Sequence, residues 1–321
     1  MVLPVFQSTA AQGFFSRDGK TVTLIHGNKL GQVDIASGQY QPIPLPGELG
    51  DAYIVSVATG APGETWLLTN EAVWVMKDGA DPQQVCSTAP LEGPHDLFVI
   101  TQADSPMKDW IVVSAGKTGG YHGTNPTFHA RKPGDESFGS IFCRRVQAAE
   151  AGYVAADGRF FFTSAGDVWE GRIEATPGDQ ENLAELLGAR IAPLAMRDTD
   201  ASYGGLGGVE QVATAGRWLY AKLRGRHVAA IVRTQLPPKP NYEAVTVNRR
   251  GMQQKYQSMQ QSLSKVEILT VGDDMAGFCV CEVKGKPRLF YAARIHDQTN
   301  LMLVDGSGAP RVIGHIDEPH W

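Results

Sequence analysis

The stretch GYVAADGRFFFTSAGDVWEGRIEATPG, residues 152–178, constrains the whole chain. Side chains alternate across a strand, so Phe160 and Phe162 point one way and Phe161 the other. An extended segment that is apolar on both faces needs a covering layer on each side. Its neighbours also read as strands: residues 153–156 lead into an Asp157-Gly158 turn, and residues 168–173 follow the turn Ala165-Gly166-Asp167. Turns of this kind between short β-rich runs mark consecutive hairpins. The unit therefore reads as an antiparallel sheet stacked between other sheets.

Similar units flank it. Residues 14–45 give FFSRDGK, TVTLIHG, LGQVDIASG and QYQPIPL, and residues 53–85 give YIVSVATG, ETWLLTN, AVWVMKDG and a short last run. Residues 97–146 give LFVITQ, DWIVVSAG, a long polar loop and SIFCRRV, and residues 209–234 give VEQVATAG, RWLYAKLRG and HVAAIVRT. Residues 266–316 give five runs: VEILTVG, FCVCEVKG, RLFYAARI, NLMLVDGSG and RVIGHI. Aligning the second strands brings Leu24, Trp66, Trp110, Phe161, Trp218 and Phe290 into register at spacings of about 42 to 72 residues. The shorter spacings fit one four-stranded blade and the longer ones require insertions.

This strand rhythm resembles the β-propeller superfamily over nearly the whole chain. The Gly-His and Trp-Asp signature of WD40 repeats and the paired glycines of kelch repeats are missing, so the resemblance stops at the superfamily. It implies an all-β fold: one propeller domain over residues 1–321 with six four-stranded blades, or seven if the long last unit hides another. The segment MVLPVFQST is then placed to pair as a strand of the last blade, since closing the ring removes sheet edges. A two-sheet sandwich is the plainer alternative, but seldom needs this many strands.

A net charge of −5 gives no global attraction to nucleic acid. No run of 18 apolar residues occurs, and MVLPVFQSTAAQG has neither a basic start nor a sustained apolar stretch. The expectation is a cytoplasmic protein with no membrane association. Cys86, Cys143, Cys279 and Cys281 lack CxxC spacing; Cys279 and Cys281, two apart in a strand, share a face without being able to form a standard disulfide. Buried reduced thiols fit this pattern.

Three insertions depart from the repeat, and loops are where such a fold carries specificity. Residues 116–139 form a long loop containing GKTGGYHGTNPTFHARKPG. Residues 177–188, PGDQENLAELLG, read as a short helix with Leu183, Leu186 and Leu187 inward and Asp179 capping it. Residues 235–265 read as a helix-bearing insertion between the fifth and sixth blades. In it Met252, Tyr256, Met259 and Leu263 form one apolar stripe at helical spacing against a Gln-rich face. That stripe either packs on the ring's own side or docks a partner, for which Met side chains are adaptable.

Charge is uneven as well. Residues 217–255 hold nine Lys or Arg against Glu243 alone, a local net charge of +8 in an otherwise acidic chain. Trp218, Tyr220, Tyr242 and Tyr256 are interleaved with those cations. Such a stretch fits an acidic protein surface, a nucleic acid or another polyanion, or a merely solvated face.

Motifs for chemistry are sparse. Gly116-Lys117-Thr118 follows a hydrophobic strand, but Ile111 stands where a phosphate-binding loop needs glycine. His95 and Asp96 in GPHDLF, with His122 and His129, are ligand types for a divalent metal at one mouth of the third blade. GPHDLF also resembles the GPxGLxF stretch of six-bladed lactonases and gluconolactonase-like hydrolases. The resemblance implies a metal in the central channel that polarises a lactone carbonyl; the hydrolase reading takes His95, Asp96 and His122 as its ligands. The family's ligands on other blades have no recognisable counterparts here. Asp198, Asp200, Asp273 and Asp274 lie near strand starts and read as turn residues first. No GxSxG, HExxH or GxGxxG occurs.

The reading that best fits the residues is a non-enzymatic interaction scaffold without a cofactor. Arg224, Arg226, Arg249 and Arg250 would meet an acidic partner protein, with Met252, Tyr256 and Met259 as apolar anchors. The alternatives are a metal-dependent lactonase-like hydrolase and a polyanion-binding protein.

Overall fold

The computed structural model describes residues 13–316 apart from 28, 79, 102–104, 117–126, 145–150, 156–157, 165–166, 176–181, 193–207, 226–227, 240–265, 273–274 and 296–297. The chain is all-β, with six four-stranded blades in a ring. Blade 1 consists of β1 (Gly13–Phe15), β2 (Thr21–His26), β3 (Lys29–Asp34) and β4 (Tyr40–Pro42). Blade 2 consists of β5 (Ile54–Thr59), β6 (Glu64–Thr69), β7 (Ala72–Lys77) and β8 (Gln83–Ser87). Blade 3 consists of β9 (Pro94–Val99), β10 (Ile111–Ala115), β11 (Thr127–Arg131) and β12 (Gly139–Arg144). Blade 4 consists of β13 (Gly152–Val154), β14 (Phe160–Ser164), β15 (Asp167–Ala175) and β16 (Asn182–Ala192). Blade 5 consists of β17 (Gly208–Ala215), β18 (Trp218–Arg224), β19 (Ala229–Gln235) and β20 (Glu267–Gly272). Blade 6 consists of β21 (Met275–Val283), β22 (Lys286–Ile295), β23 (Gln298–Asp305) and β24 (Arg311–Ile316).

The core lies between blades, as six apolar clusters that together run round the ring. Every blade buries both faces, which is what the Phe160–Phe162 run demanded. Phe160 and Phe162 pack toward blade 3 with Phe98 and Phe128, while Phe161 packs toward blade 5 with Leu219 and Ala221.

Blades 3 and 4 form one continuous sheet, because their outer strands β12 and β16 pair in parallel, with Cys143 opposite Leu186 and Arg144 opposite Leu187. This corrects the helix expected within residues 177–188. Ala184 and Leu186 are fully buried two positions apart, facing Phe162 and Phe128. Of the residues expected on the helical stripe, Leu186 is shared with this period-two pattern, and hydrogen bonding to strands on both sides outweighs helix propensities of tenths of a kcal/mol per residue.

The boundary of the last unit also moves. VEILTVG is β20, paired with β19 from Ala229↔Gly272 to Arg233↔Glu267, so the 235–265 insertion interrupts blade 5 rather than separating blades 5 and 6. The helix expected over residues 252–263 lies outside the described residues. Blade 6 completes its four strands from residues 275–316. The segment MVLPVFQST, expected as one of its strands, also lies outside the described residues.

Blades 6 and 1 close the ring by packing. Phe15 meets Phe290 edge to face at 6.5 Å, and Arg288 Nη1 donates to the Gly19 carbonyl at 2.9 Å. At the outer rim the backbones nearly touch: a Cβ on Gly38 would stand 1.7 Å from the Ile313 carbonyl oxygen, at a φ of +69°. Gly38→Ala is expected to cost about 2–4 kcal/mol by moving that contact. Gly285→Ala has a similar φ of +74° and open space around the Cβ, and should cost only about 1 kcal/mol. Chemical denaturation of the two variants measures the difference.

Candidate functional site

The first strands of the six blades, β1, β5, β9, β13, β17 and β21, line a central cavity of about 550 Å³. Its polar side chains work mainly as links between blades. Asp96 on β9 is buried; its Oδ2 accepts from the Gly152 amide of blade 4 at 2.7 Å. Its Oδ1 accepts from the Leu97 amide at 3.0 Å and from Ser56 Oγ of blade 2 at 3.4 Å. Gln211 of blade 5 donates to the Phe278 carbonyl of blade 6 at 2.7 Å and accepts from its amide at 2.9 Å, copying a backbone ladder with a side chain. The Tyr153 hydroxyl donates to the Thr214 carbonyl at 3.0 Å, joining blades 4 and 5. Buried polar groups satisfied in this way fix the relative positions of the elements they join.

His95 lies one residue before Asp96 on β9, as the extra residue where the ladder to β10 jumps from Ala115↔Pro94 to Ser114↔Asp96. Its Nδ1 is 3.1 Å from the Gly93 carbonyl oxygen and its Nε2 is 3.1 Å from Ser114 Oγ on β10. The Gly93 carbonyl can only accept, so Nδ1 is the donor in that pair. His129 is on β11, two strands outward from the channel, and burial holds its pKa below the usual value. His122 lies outside the described residues, as do Asp198, Asp200, Asp273 and Asp274. Among the described residues no group of three or more His, Cys, Asp or Glu side chains is arranged to hold a metal ion. Cys279 and Cys281 both line the cavity. Burial pushes the Cys281 thiol up to about 11 and Cys279 well above the usual value, so neither presents a thiolate at neutral pH.

In blade 5 the described cations are already engaged. Lys222, buried, and Arg224, half exposed, both meet Glu210, at 3.1 and 2.8 Å. Arg233 pairs with Glu267 at 2.8 Å, donates to the Gly306 carbonyl at 3.0 Å and stacks over Trp218 at 4.4 Å. Arg217 covers the same indole at 5.3 Å. Glu210 and Glu267 flank the basic stretch, and with them residues 208–272 still carry ten basic against three acidic side chains. Arg224 ends β18, at the opposite end of the blade from where β19 runs into the insertion. Arg226, Arg249, Arg250, Met252, Tyr256 and Met259 lie outside the described residues.

The outer strand β20 presents what the sequence reading missed. Its ladder jumps from Ile231↔Thr270 to Val232↔Ile268, leaving Leu269 as an extra residue. The bulge lets both Leu269 and Thr270 turn to blade 6, the first by packing there and the second by accepting from the Tyr291 hydroxyl at 3.0 Å. Ile268 and Val271 are left on the other face, 51% and 57% exposed. Neither is distinguishable from a buried strand residue in the string VEILTVG.

No protein-family model matches the chain, and no curated protein matches it. Solved structures do. It superposes with TM-score 0.52 at 11% identity on a gluconolactonase from Xanthomonas campestris, over 88% of this chain and 81% of that one. A protein assigned as TolB from Agrobacterium tumefaciens gives TM-score 0.51 at 12% identity, over 88% and 87%. The extracellular domain of a hybrid two component system from B. thetaiotaomicron aligns with 97% of this chain at TM-score 0.47 and 9% identity, and the chain spans 34% of that protein. At such identities the likeness concerns the fold alone, and in fold the chain is a six-bladed β-propeller.

Proposed function

We propose that the protein is a non-enzymatic interaction scaffold that holds an acidic partner protein against the outer part of blade 5. The observation that carries this reading is the exposed pair Ile268 and Val271 on β20, a strand paired on one side only. Exposed apolar side chains clustered on one strand mark contact surfaces. Here they directly follow the stretch that holds Arg249, Arg250, Met252, Tyr256 and Met259. A β-bulge disfavours indiscriminate strand addition at an edge, so the contact is made by side chains. A basic stretch next in sequence to an exposed apolar pair suits a partner with acidic groups beside its own apolar patch. The linking roles of Asp96, Gln211 and Tyr153 support a ring built for rigidity rather than for acid–base chemistry.

The test is affinity capture from native extract with wild type, Ile268→Lys/Val271→Lys and Arg249→Glu/Arg250→Glu, with and without nuclease. Wild type should retain one stoichiometric protein after nuclease, and each double variant should lose at least tenfold of it. Thermal unfolding of Ile268→Lys/Val271→Lys should be nearly unchanged, because exposed positions usually shift stability by within about 0.5 kcal/mol. Undiminished capture by both variants would exclude the blade 5 surface. Loss of all partners on nuclease treatment would assign the basic stretch to nucleic acid. A stoichiometric divalent ion in the purified protein would favour the hydrolase reading, with His95, Asp96 and His122 as the residues to replace.

A further inference from the structure

We infer that the end of the ring at which each blade's first strand stops is a docking face for a second copy of this chain, the basic half of one copy lying over the acidic half of the other. Every blade is a four-stranded meander whose first strand lines the channel. In an antiparallel meander the turn from first to second strand and the turn from third to fourth lie at one end, and the remaining connections lie at the other. Neighbouring blades meet through these turns: Arg288 Nη1 of blade 6 donates to the Gly19 carbonyl of blade 1 at 2.9 Å, and Arg233 Nη1 of blade 5 to the Gly306 carbonyl of blade 6 at 3.0 Å.

Charge divides this end in two. With the 236–266 insertion left out, the turns of blades 5, 6 and 1 hold the exposed cations Arg17, Lys20, Arg217 and Lys284 against Asp18 alone, a net charge of +3. The insertion leaves β19 in this half and adds five basic and one acidic side chain to its sequence. The corresponding turns of blades 2, 3 and 4 hold three basic and nine acidic side chains, a net charge of −6. Of those three cations Arg159 is buried against Glu170, whereas the carboxylates of Asp78, Asp81 and Glu136 are on exposed residues. The connections at the opposite end of the ring hold four basic and ten acidic side chains, spread over all the blades. Blades 5, 6 and 1 follow one another round the ring, as do blades 2, 3 and 4, so the division makes one positive and one negative half. Such a face is self-complementary under a two-fold axis along the border, because the rotation lays each half on its opposite and makes the same contact twice. A partner of a single sign of charge would satisfy one half and be repelled by the other, which selects a second copy. This inference goes beyond the acidic partner proposed at the outside of blade 5.

Sedimentation velocity of the full chain reads the pairing. Wild type should show the mass of two chains at low salt and shift toward one chain in about 1 M salt, where the screening length falls to about 3 Å. Arg17→Glu/Arg217→Glu/Lys284→Glu and Asp78→Lys/Asp81→Lys/Glu136→Lys should each weaken self-association about tenfold or more, because like charges then face each other. All six positions are exposed, and thermal unfolding close to that of wild type confirms that both variants are folded. An equimolar mixture of the two variants should regain the two-chain mass, since the mixed pair again sets opposite charges together at both contacts. Ile268, Val271, Arg249 and Arg250 stay in place throughout, so failure here leaves the blade 5 contact untouched. A single-chain mass for wild type at low salt, a mass well above two chains, undiminished self-association of either variant, or a mixture that stays single-chain would overturn the inference.

Discussion

Replacing Arg159 with methionine is expected to lower stability by about 3–5 kcal/mol, the range seen when one member of a buried ion pair is removed. Arg159 and Glu170 are 7% and 2% exposed. The Arg159 Nε donates to Glu170 Oε1 at 2.9 Å, its Nη2 bonds the second carboxylate oxygen, and the guanidinium lies over the Phe161 ring at 5.0 Å. Methionine keeps most of the apolar stem but removes the paired charge from a buried carboxylate. Glu170→Leu alone should cost a comparable amount by removing the paired charge from a buried guanidinium. The double variant Arg159→Met/Glu170→Leu should recover most of the loss, since an apolar pair of similar volume incurs no desolvation penalty. Urea denaturation of the four proteins completes the cycle. An additive double variant, near the sum of the two singles, would mean that the side chains act through packing and not through each other.

That ion pair shows where sequence reading stops. Glu170 lies directly across from Phe161 on β15, a pairing that follows from the hairpin register. The blade order, the antiparallel hairpins and the second-strand positions Leu24, Trp66, Phe161, Trp218 and Phe290 were legible because turn residues and period-two patterns are local signals, while Trp110 falls one residue before β10. What was not legible depends on the partner of a strand. β16 reads as a helix until β12 is known to lie beside it, and β11 was absorbed into the long loop because TFHAR is short and half polar. VEILTVG went to the wrong blade because the insertion before it hides the hairpin that would have assigned it. At the site the limit is the same: Asp96 and His95 are adjacent letters, yet one links three blades around the channel and the other turns to Ser114. Ile268 and Val271 became conspicuous only once a bulge and an uncovered edge were known.

Phe128→Ala should be as damaging as any single truncation in the chain, at about 3–5 kcal/mol. The residue is fully buried on β11, with Phe98, Phe160 and Phe162 edge-on at 5.7, 5.4 and 6.0 Å. Its removal opens a cavity walled by other aromatic rings, which are held by their own strands and cannot collapse far into it. Aromatic pairs contribute about 0.5–1.5 kcal/mol beyond burial, so Phe128→Leu should restore part of the loss and leave a residual deficit of that order. The more informative readout is where the structure loosens. Because β12 and β16 join blades 3 and 4 into one sheet around this cluster, hydrogen exchange in Phe128→Ala should accelerate together in β10, β11, β14 and β15. Amides of β2 and β22, on the far side of the ring, should remain close to wild type. Acceleration confined to β10 and β11 would mean that blades 3 and 4 open independently despite their shared sheet, whereas uniform acceleration round the ring would mean that the six blades open as one unit.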